Sequence, residues 1–487
     1  MLSFLLFLSH YRKNRYAEAL SVLSTPVKLR GLLPQHCWAC YRLGLYGTVS
    51  GLVHQQWSTW KEAFAITASL AACGRHDEAG EMARVLEARY GSRKDFHLLI
   101  DALAPFMAEC AMEMLDGKEV PVSLRAALLQ ANGRRQESLL LLDRASHEGA
   151  YSENPELFLY RSNACLWDNR ERLDFLNSFL ASNGISQVIL RDPGLPLGSH
   201  NLVTVEELSS VEKAPLVSIL MTAYQSSKHV DTAIASMLGQ TWRNVELVVV
   251  DDASSDDTPE LIARWTEKDP RVRLIILPYN VGTYVAKNIG LQFASGEFVT
   301  CHDSDDWSHP LKIERQVLPL LRNRKLVCTT SDWVRMQDDG TYYARPVHPL
   351  QRFNPSSPLF RRKEVLETTG AWDCVRTGAD SEFIARLKIV FGRKAVLRIR
   401  QPLAIGAHRP GSLMTGTATG YTAGRMPPDR LEYWESWTHW HIEELRAGRK
   451  PRMPGLLEQR AFSAPESIRV PRERIVRNYE HLSLGMQ

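Results

Sequence analysis

No stretch of this 487-residue chain approaches the roughly 20 consecutive apolar residues that a membrane-spanning helix needs. The apolar start, Met1 to Leu8, is far shorter and lacks both a positive lead and a small-residue cleavage site. It reads as a first helix burying one face on its neighbours, with a peripheral membrane contact or a misplaced start as alternatives. Charge of one sign is scarce as well: a formal balance of +4 is too small over this length to imply nucleic-acid binding. Cysteine is sparse and scattered. Of eight, only Cys37 and Cys40 are close, and no second pair of ligands follows to complete a zinc site. Their surroundings read as helical, without the strand-to-helix context of a redox pair, so buried thiols in a reducing compartment are expected. What is present, 44% hydrophobic and 23% charged residues, is the balance of a globular protein long enough for two or three domains.

Residues 1–190 are rich in Ala, Leu, Arg and Glu, with apolar positions at helical spacing and few β-branched runs. Asn14-Arg15-Tyr16-Ala17-Glu18-Ala19-Leu20, Gly74-Arg75-His76-Asp77-Glu78-Ala79 and Gly133-Arg134-Arg135-Gln136-Glu137-Ser138-Leu139 share one shape, a turn followed by a helix start. The pattern resembles the helix pairs of tetratricopeptide-type solenoids, without a clean 34-residue spacing. An irregular helical bundle is the other reading, and either one requires the pairs to pack on each other. Pro193, Pro196 and Gly198 then punctuate a polar stretch, which marks 191–212 as a linker.

From 213 to 424 β-branched runs alternate with helical segments. Leu216–Met221 and Val245–Val250 are continuous apolar runs, as expected of strands buried on both faces. His229–Leu238 has helical periodicity, Thr258 caps a helix with Pro259 at its first position, and Thr283–Phe293 is a further helix. Arg271–Leu277 and Glu297–Cys301 complete four strands. Such alternation predicts an α/β domain with a mainly parallel, Rossmann-like sheet in three layers, preceded by the all-α module. Ligands bind such sheets beyond the carboxyl ends of the strands.

Polar residues gather there. The last strand runs into His302-Asp303-Ser304-Asp305-Asp306-Trp307, three carboxylates that repel unless a hard divalent cation or solvent relieves them. A calcium loop is excluded, because Ser308 stands where glycine is required. Upstream lie Thr222-Ala223-Tyr224, Gln240-Thr241, Asp251-Asp252-Ala253-Ser254-Ser255-Asp256-Asp257 and Asn280-Val281-Gly282-Thr283 with Lys287-Asn288. Downstream lie Gly370-Ala371-Trp372-Asp373, Gly378-Ala379-Asp380-Ser381-Glu382 and Gly406-Ala407-His408-Arg409-Pro410-Gly411-Ser412. In order and spacing this series resembles the inverting family 2 glycosyltransferases of the GT-A fold, with the acidic cluster as the DxD motif.

The resemblance implies a metal-dependent transferase, of hexosyl type, that uses a nucleotide-sugar, with UDP the favoured nucleotide. By the same resemblance Thr222 and Tyr224 line the base pocket, Asp252 accepts the uracil N–H, and Asp251 orients the turn. Lys287 lies near ribose and phosphate, although a solvated helix-face lysine is the plainer reading of that residue alone. Asp303 would face the ribose, Asp305 would bind Mn2+ or Mg2+, and Asp306 would be structural. The acidic pair of the family reads Ala379-Asp380 here, which makes Asp380 the base candidate and Glu382 its rival. His408 would join the metal or the diphosphate, or is simply a core or surface histidine, and Ser412 would be a phosphate-side contact.

Residues 425–487 form a C-terminal extension. Leu431–Leu445 predicts a helix whose Trp434, Trp437, Trp440 and His441 pack rather than bind. The basic, proline-broken tail from Arg446 predicts either poor order or contact with an acidic surface. The expected partners are a nucleotide-sugar donor, a saccharide or lipid-linked acceptor of cell-surface polysaccharide or lipopolysaccharide synthesis, and a protein on the helical module. The expected location is the cytoplasm or the inner face of the membrane. The rival function is a degenerate transferase serving as a scaffold. A nucleotidyltransferase would want a Gly-rich basic loop where Thr222-Ala223-Tyr224-Gln225 stands.

Overall fold

The computed structural model describes residues 2–23, 33–53, 57–165, 168–204, 208–212, 214–416, 420–421 and 424–485. Met1 and the boundary residue Lys213 lie outside them. Among the described residues no helix is long and apolar enough to cross a membrane.

The described residues to Ser182 are mainly helical and packed as neighbouring pairs, such as Trp60–Ala72 with His76–Tyr90, Val122–Ala131 with Arg135–His147, and Leu157–Ala164 with Asn169–Ser182. The three look-alike turns share one geometry. Asn14, Gly74 and Gly133 have φ of 56°, 79° and 73°, a left-handed conformation that Gly and Asn adopt most readily. The arginine after each turn then pairs with the glutamate three residues on: Arg15–Glu18 at 2.8 Å, Arg75–Glu78 at 2.6 Å and Arg134–Glu137 at 2.5 Å. Such exposed pairs add little stability, so they set the turn while the core holds the module. That core runs from Phe7 through Leu20, Ala63, Ala79 and Leu99 to Leu128. Cys37 and Cys40 lie in it as buried free thiols.

Part of the predicted linker is structured. Strand β1 (Val188–Leu190) pairs antiparallel with β2 (Leu202–Thr204), and the Asn201 side chain bridges to the backbone of Asp192 at 2.8 and 2.9 Å. A ten-stranded sheet follows. It comprises β3 (Val217–Ala223), β4 (Val245–Asp251), β5 (Val272–Ile276), β6 (Phe298–Asp303), β7 (Trp307–Ser308), β8 (Cys328–Gln337), β9 (Tyr342–Tyr343), β10 (Arg352–Phe353), β11 (Leu359–Arg361) and β12 (Val396–His408). Their order is β5-β4-β3-β6-β11-β8-β12-β7, with β9 and β10 on β8. The first four neighbours are parallel, as the sequence predicts. Beyond β6 the sheet turns mixed. β11 returns without a crossover helix of its own, and pairs antiparallel with both β6 and β8.

Both faces are covered. Val217, Ile219 and Met221 of β3 meet Ile234, Met237 and Ile313 on one side, while Leu220 meets Val285 and Ile289 on the other. Thr258 begins its helix but does not cap it. The N-cap position is Asp257, whose side chain makes no capping bond, while the Asp256 carboxylate accepts the Thr258 N–H at 3.2 Å and its hydroxyl at 2.6 Å.

The helical module packs on the outer strands. Leu159, Phe179 and Leu197 share a core with Val334, Met336, Leu403 and Ile405, and the Asn163 amide exchanges two hydrogen bonds with the Tyr342 backbone. The helix Pro428–Arg446 lies between the two units. Its Tyr433 and Trp437 enter the sheet's core, while the Trp434 indole donates to Leu43 O at 2.7 Å and Glu435 accepts the Gly47 N–H. The tail is more ordered than its composition suggests: Ile468, Val470 and Ile475 are buried against the sheet, and Arg472–Gly485 is helical. Apolar residues spaced between the prolines supply that anchoring.

Candidate active site

The carboxyl ends of β3, β4 and β6 open onto one crevice. Asp252, the residue after β4, is buried, and its carboxylate accepts the N–H groups of Val281 at 2.7 Å and Gly282 at 2.6 Å, and the Asn280 amide at 2.9 Å. Gly282 takes φ of 78°, which turns its N–H to the carboxylate. Burial pushes the Asp252 carboxyl up to about 7, against the pull of those two N–H groups. Two oxygens offer about four acceptor positions, so roughly one remains. Asp251 orients the turn, as the resemblance implies, by accepting the Ser254 N–H at 3.0 Å. The Thr222 hydroxyl bonds Thr283 at 2.7 Å, tying β3 to the start of the helix Thr283–Gly290, and Tyr224 is exposed at the rim.

Lys287 is no solvated lysine. It is 3% exposed and its ammonium lies 3.1 Å from Asp303. Burial alone would favour the neutral amine, but Asp303 outweighs it and holds the pKa above the usual lysine value. Burial likewise works to raise Asp303, and Lys287 prevails in holding it below the usual carboxylate range. Asp380, in the first turn of the helix Ala379–Val390, sits beside the Tyr284 hydroxyl and within reach of the Lys287 and Asp303 charges. Burial raises its pKa, with Lys287 opposing. A half-buried carboxylate with a raised pKa suits general-base work.

Glu382 is turned away from this group. It is fully buried, forked to Arg386 at 2.8 and 3.0 Å and bonded to His441 at 2.9 Å. Arg386 continues to the carbonyl of Ala371 at 2.6 Å. Burial would raise Glu382, yet Arg386 and then His441 hold it down at about 2. Ala379 lies in the apolar core, where an acidic side chain would lack a partner.

The carboxylates at and just after the end of β6 meet groups of the chain itself, although burial, then Asp305 and Asp303, still pushes Asp306 well above the usual carboxylate range. Lys287 meets Asp303, Arg409 meets Asp305 at 2.7 Å, and the Ala407 N–H meets Asp306 at 2.9 Å. Asp306 is thereby structural. His408 stacks on Tyr343 with centroids 3.8 Å apart and planes 12° apart, and its Nδ1 is buried without a hydrogen-bond partner. Burial, then Arg335, pulls the imidazole down to about 4, so it is neutral. Among the described residues no three metal-ligating side chains come together. Ser412 bonds Thr415 in the loop after His408.

Residues 218–379 match the family pattern described as Glycosyl transferase family 2. A Bacillus subtilis protein assigned to teichuronic acid biosynthesis, the glycosyltransferase TuaG, is 31% identical over 190 residues, which cover 39% of this chain and 70% of that protein. The chain belongs to glycosyl transferase family 2. The succinoglycan biosynthesis protein ExoO of Rhizobium meliloti is 42% identical over 160 residues, covering 31% of the transferase and 45% of ExoO. An uncharacterised Haemophilus influenzae glycosyltransferase is 40% identical over 126 residues, 26% of the transferase; the match spans 50% of that relative's length.

Sequence reasoning missed three side chains of the crevice. Arg409 lies 104 residues from its partner Asp305, and adjacency to His408 was the only available signal. Tyr284 stands one helical turn from Lys287, a spacing that places both on one face. Arg376 donates to Asn280 at 2.6 Å and is held below the usual arginine value by burial, with Asp252 opposing. Nothing in the local sequence marks Arg376.

Proposed function

We propose that this transferase moves a sugar from a nucleotide-sugar, a UDP-sugar foremost, to an acceptor hydroxyl by single displacement with inversion. The observation that carries this reading is the meeting of Asp380, Lys287 and Asp303 on one crevice floor, with Tyr284 against the base. Asp380 takes the acceptor proton, and its raised pKa makes it a better base than an ordinary aspartate. Asp252 uses its remaining acceptor position for the N–H of the base, with Thr222 and Tyr224 beside it. Asp303 faces the ribose, and Lys287 contributes positive charge near the phosphates.

A divalent cation, Mn2+ or Mg2+, belongs to this reading. Asp305 offers a hard oxygen and His408 a neutral ring with an unpartnered buried Nδ1. Such ions take one or two protein ligands when phosphate oxygens supply the rest, so this donor set fits only together with the diphosphate. The ion's contribution is to offset charge on the departing nucleoside diphosphate. Arg409, which already neutralises Asp305, lies where it can serve the same charge.

The match to a teichuronic acid and a succinoglycan protein favours cell-surface polysaccharide synthesis, with the enzyme in the cytoplasm or at the inner membrane face. The tetratricopeptide-like module would dock a protein partner. The test is UDP release from a panel of UDP-sugars, with chelator and with Mn2+ restored. Asp380→Asn should lower turnover about 10²- to 10⁴-fold at unchanged UDP affinity. Restoration by Mn2+ should fail in Asp305→Ala. Full turnover in Asp380→Asn defeats the proposal. The buried Ala379 keeps one other reading in play, a scaffold with a degenerate site. Calorimetry with UDP and Mn2+ separates the two, since a scaffold gives no binding.

A further inference from the structure

The segment 278–282, between β5 and the helix Thr283–Gly290, forms no regular structure, yet it carries the groups that hold Asp252. The N–H groups of Val281 and Gly282 and the Asn280 amide all donate to that carboxylate. What fixes this segment comes from the far end of the chain. Asn478, on the helix Arg472–Gly485, is fully buried. Its Oδ1 accepts the Tyr279 N–H at 3.2 Å, and its amide donates to Tyr279 O at 2.9 Å. The second amide hydrogen goes to Arg474 O at 2.9 Å, one turn back, which sets the direction the side chain faces. Among the described residues no other hydrogen bond reaches the Tyr279 backbone. The C-terminal chain grips a second neighbour of the same segment. The Arg376 N–H donates to Ile468 O at 2.8 Å, Val375 pairs with Arg469 in an antiparallel bridge, and the Arg376 guanidinium donates to Asn280 at 2.6 Å.

Asp252 can accept an N–H from a base only while its free acceptor position keeps its direction. Three donors set that direction, and they sit on irregular backbone with no ladder of its own to hold it. Asn478 lies beyond the residues 218–379 that match the family pattern, so the extension supplies a support from outside the matched unit. We propose that Asn478 is a positioning residue of the donor site. By holding Tyr279 it keeps Asn280, Val281 and Gly282 on Asp252, and so aims that carboxylate at the ring N–H of uracil. Asn478 acts through the backbone, being buried away from any ligand. The proposal rests on the transferase reading and adds the C-terminal helix to its nucleotide pocket.

The test is calorimetry on the full chain with UDP and, separately, with CDP, both in Mn2+. Cytosine lacks the ring N–H that Asp252 accepts, so the parent should prefer UDP. Asn478→Ala should weaken UDP about tenfold, the size of one or two lost hydrogen bonds, and leave CDP nearly unchanged. Asn478→Leu, which fills the same volume without the amide, decides if the alanine variant does not fold. An unchanged UDP affinity overturns the proposal. So does an equal loss for both nucleotides, which would mark Asn478 as a packing residue only. Hydrogen exchange gives a second reading: the amides of 279–282 should exchange faster in the variant and slow again with UDP. Exchange as slow as in the parent also overturns the proposal. A parent that binds UDP no better than CDP, or not at all, removes the base contact of the transferase reading, and this inference with it.

Discussion

Lys287 and Asp303 form a charged pair at 3.1 Å, with 3% of the lysine and 31% of the aspartate side chain exposed. The pair joins the helix Thr283–Gly290 to the end of β6, so one contact both fixes the crevice floor and leaves one carboxylate face open. Breaking a fully buried pair costs about 3–5 kcal/mol, and the partial exposure of Asp303 reduces this to about 2 kcal/mol. Lys287→Met should therefore lower the unfolding free energy by about that much in urea titrations. A loss under about 0.5 kcal/mol would mean that the pair does not support the fold.

Glu382 sets an acid limit. Its carboxyl is held at about 2 against an ordinary 4.5. A depressed carboxylate contributes stability that is present above the unfolded value and lost as pH falls through the folded one. The loss should fall between pH 4.5 and about 2 and amount to about 3 kcal/mol for this fully buried group. Glu382→Gln should flatten that part of the stability profile. An equal slope in the variant assigns the acid sensitivity elsewhere.

Asn163 couples the two units, and Asn163→Ala should weaken that coupling. It leaves the Tyr342 N–H and carbonyl without the amide that now meets them at 2.7 and 2.9 Å. Buried backbone groups left unpaired cost about 1–3 kcal/mol each. Thermal unfolding should stay a single transition at lower temperature. Separation into two transitions would show that the helical module folds independently of the sheet.

Lys312 is 1% exposed, its ammonium has no hydrogen-bond partner among the described residues, and burial pulls it down to about 8. An unpaired buried amine is costly, and an apolar side chain of similar length removes the cost. Lys312→Met should stabilise the protein by about 1–2 kcal/mol in denaturant melts. Destabilisation by that variant would point to a hidden partner for the ammonium.

Much of the catalytic unit was legible from local pattern. The strands from β3 to β6 fall within a residue or two of their apolar runs, because residues buried on both faces must be apolar continuously. Asp252, Lys287, Asp303 and Asp380 were all named through the resemblance to family 2, and the fold brings Lys287, Asp303 and Asp380 together. The antiparallel strands after β6 were not legible, since β11 is only three residues long and carries too little pattern. The anchored tail was missed for the same reason.

The sequence alone settled the order of strands and helices and the residue types at the strand ends, because those depend on periodicities a few residues long. It could not settle what each charge faces. Arg409 on Asp305 and His441 on Glu382 arise where segments far apart in the chain meet. Electrostatic partnership depends on distance in space and on exclusion of water, and only the folded sheet and the helices around it decide either one.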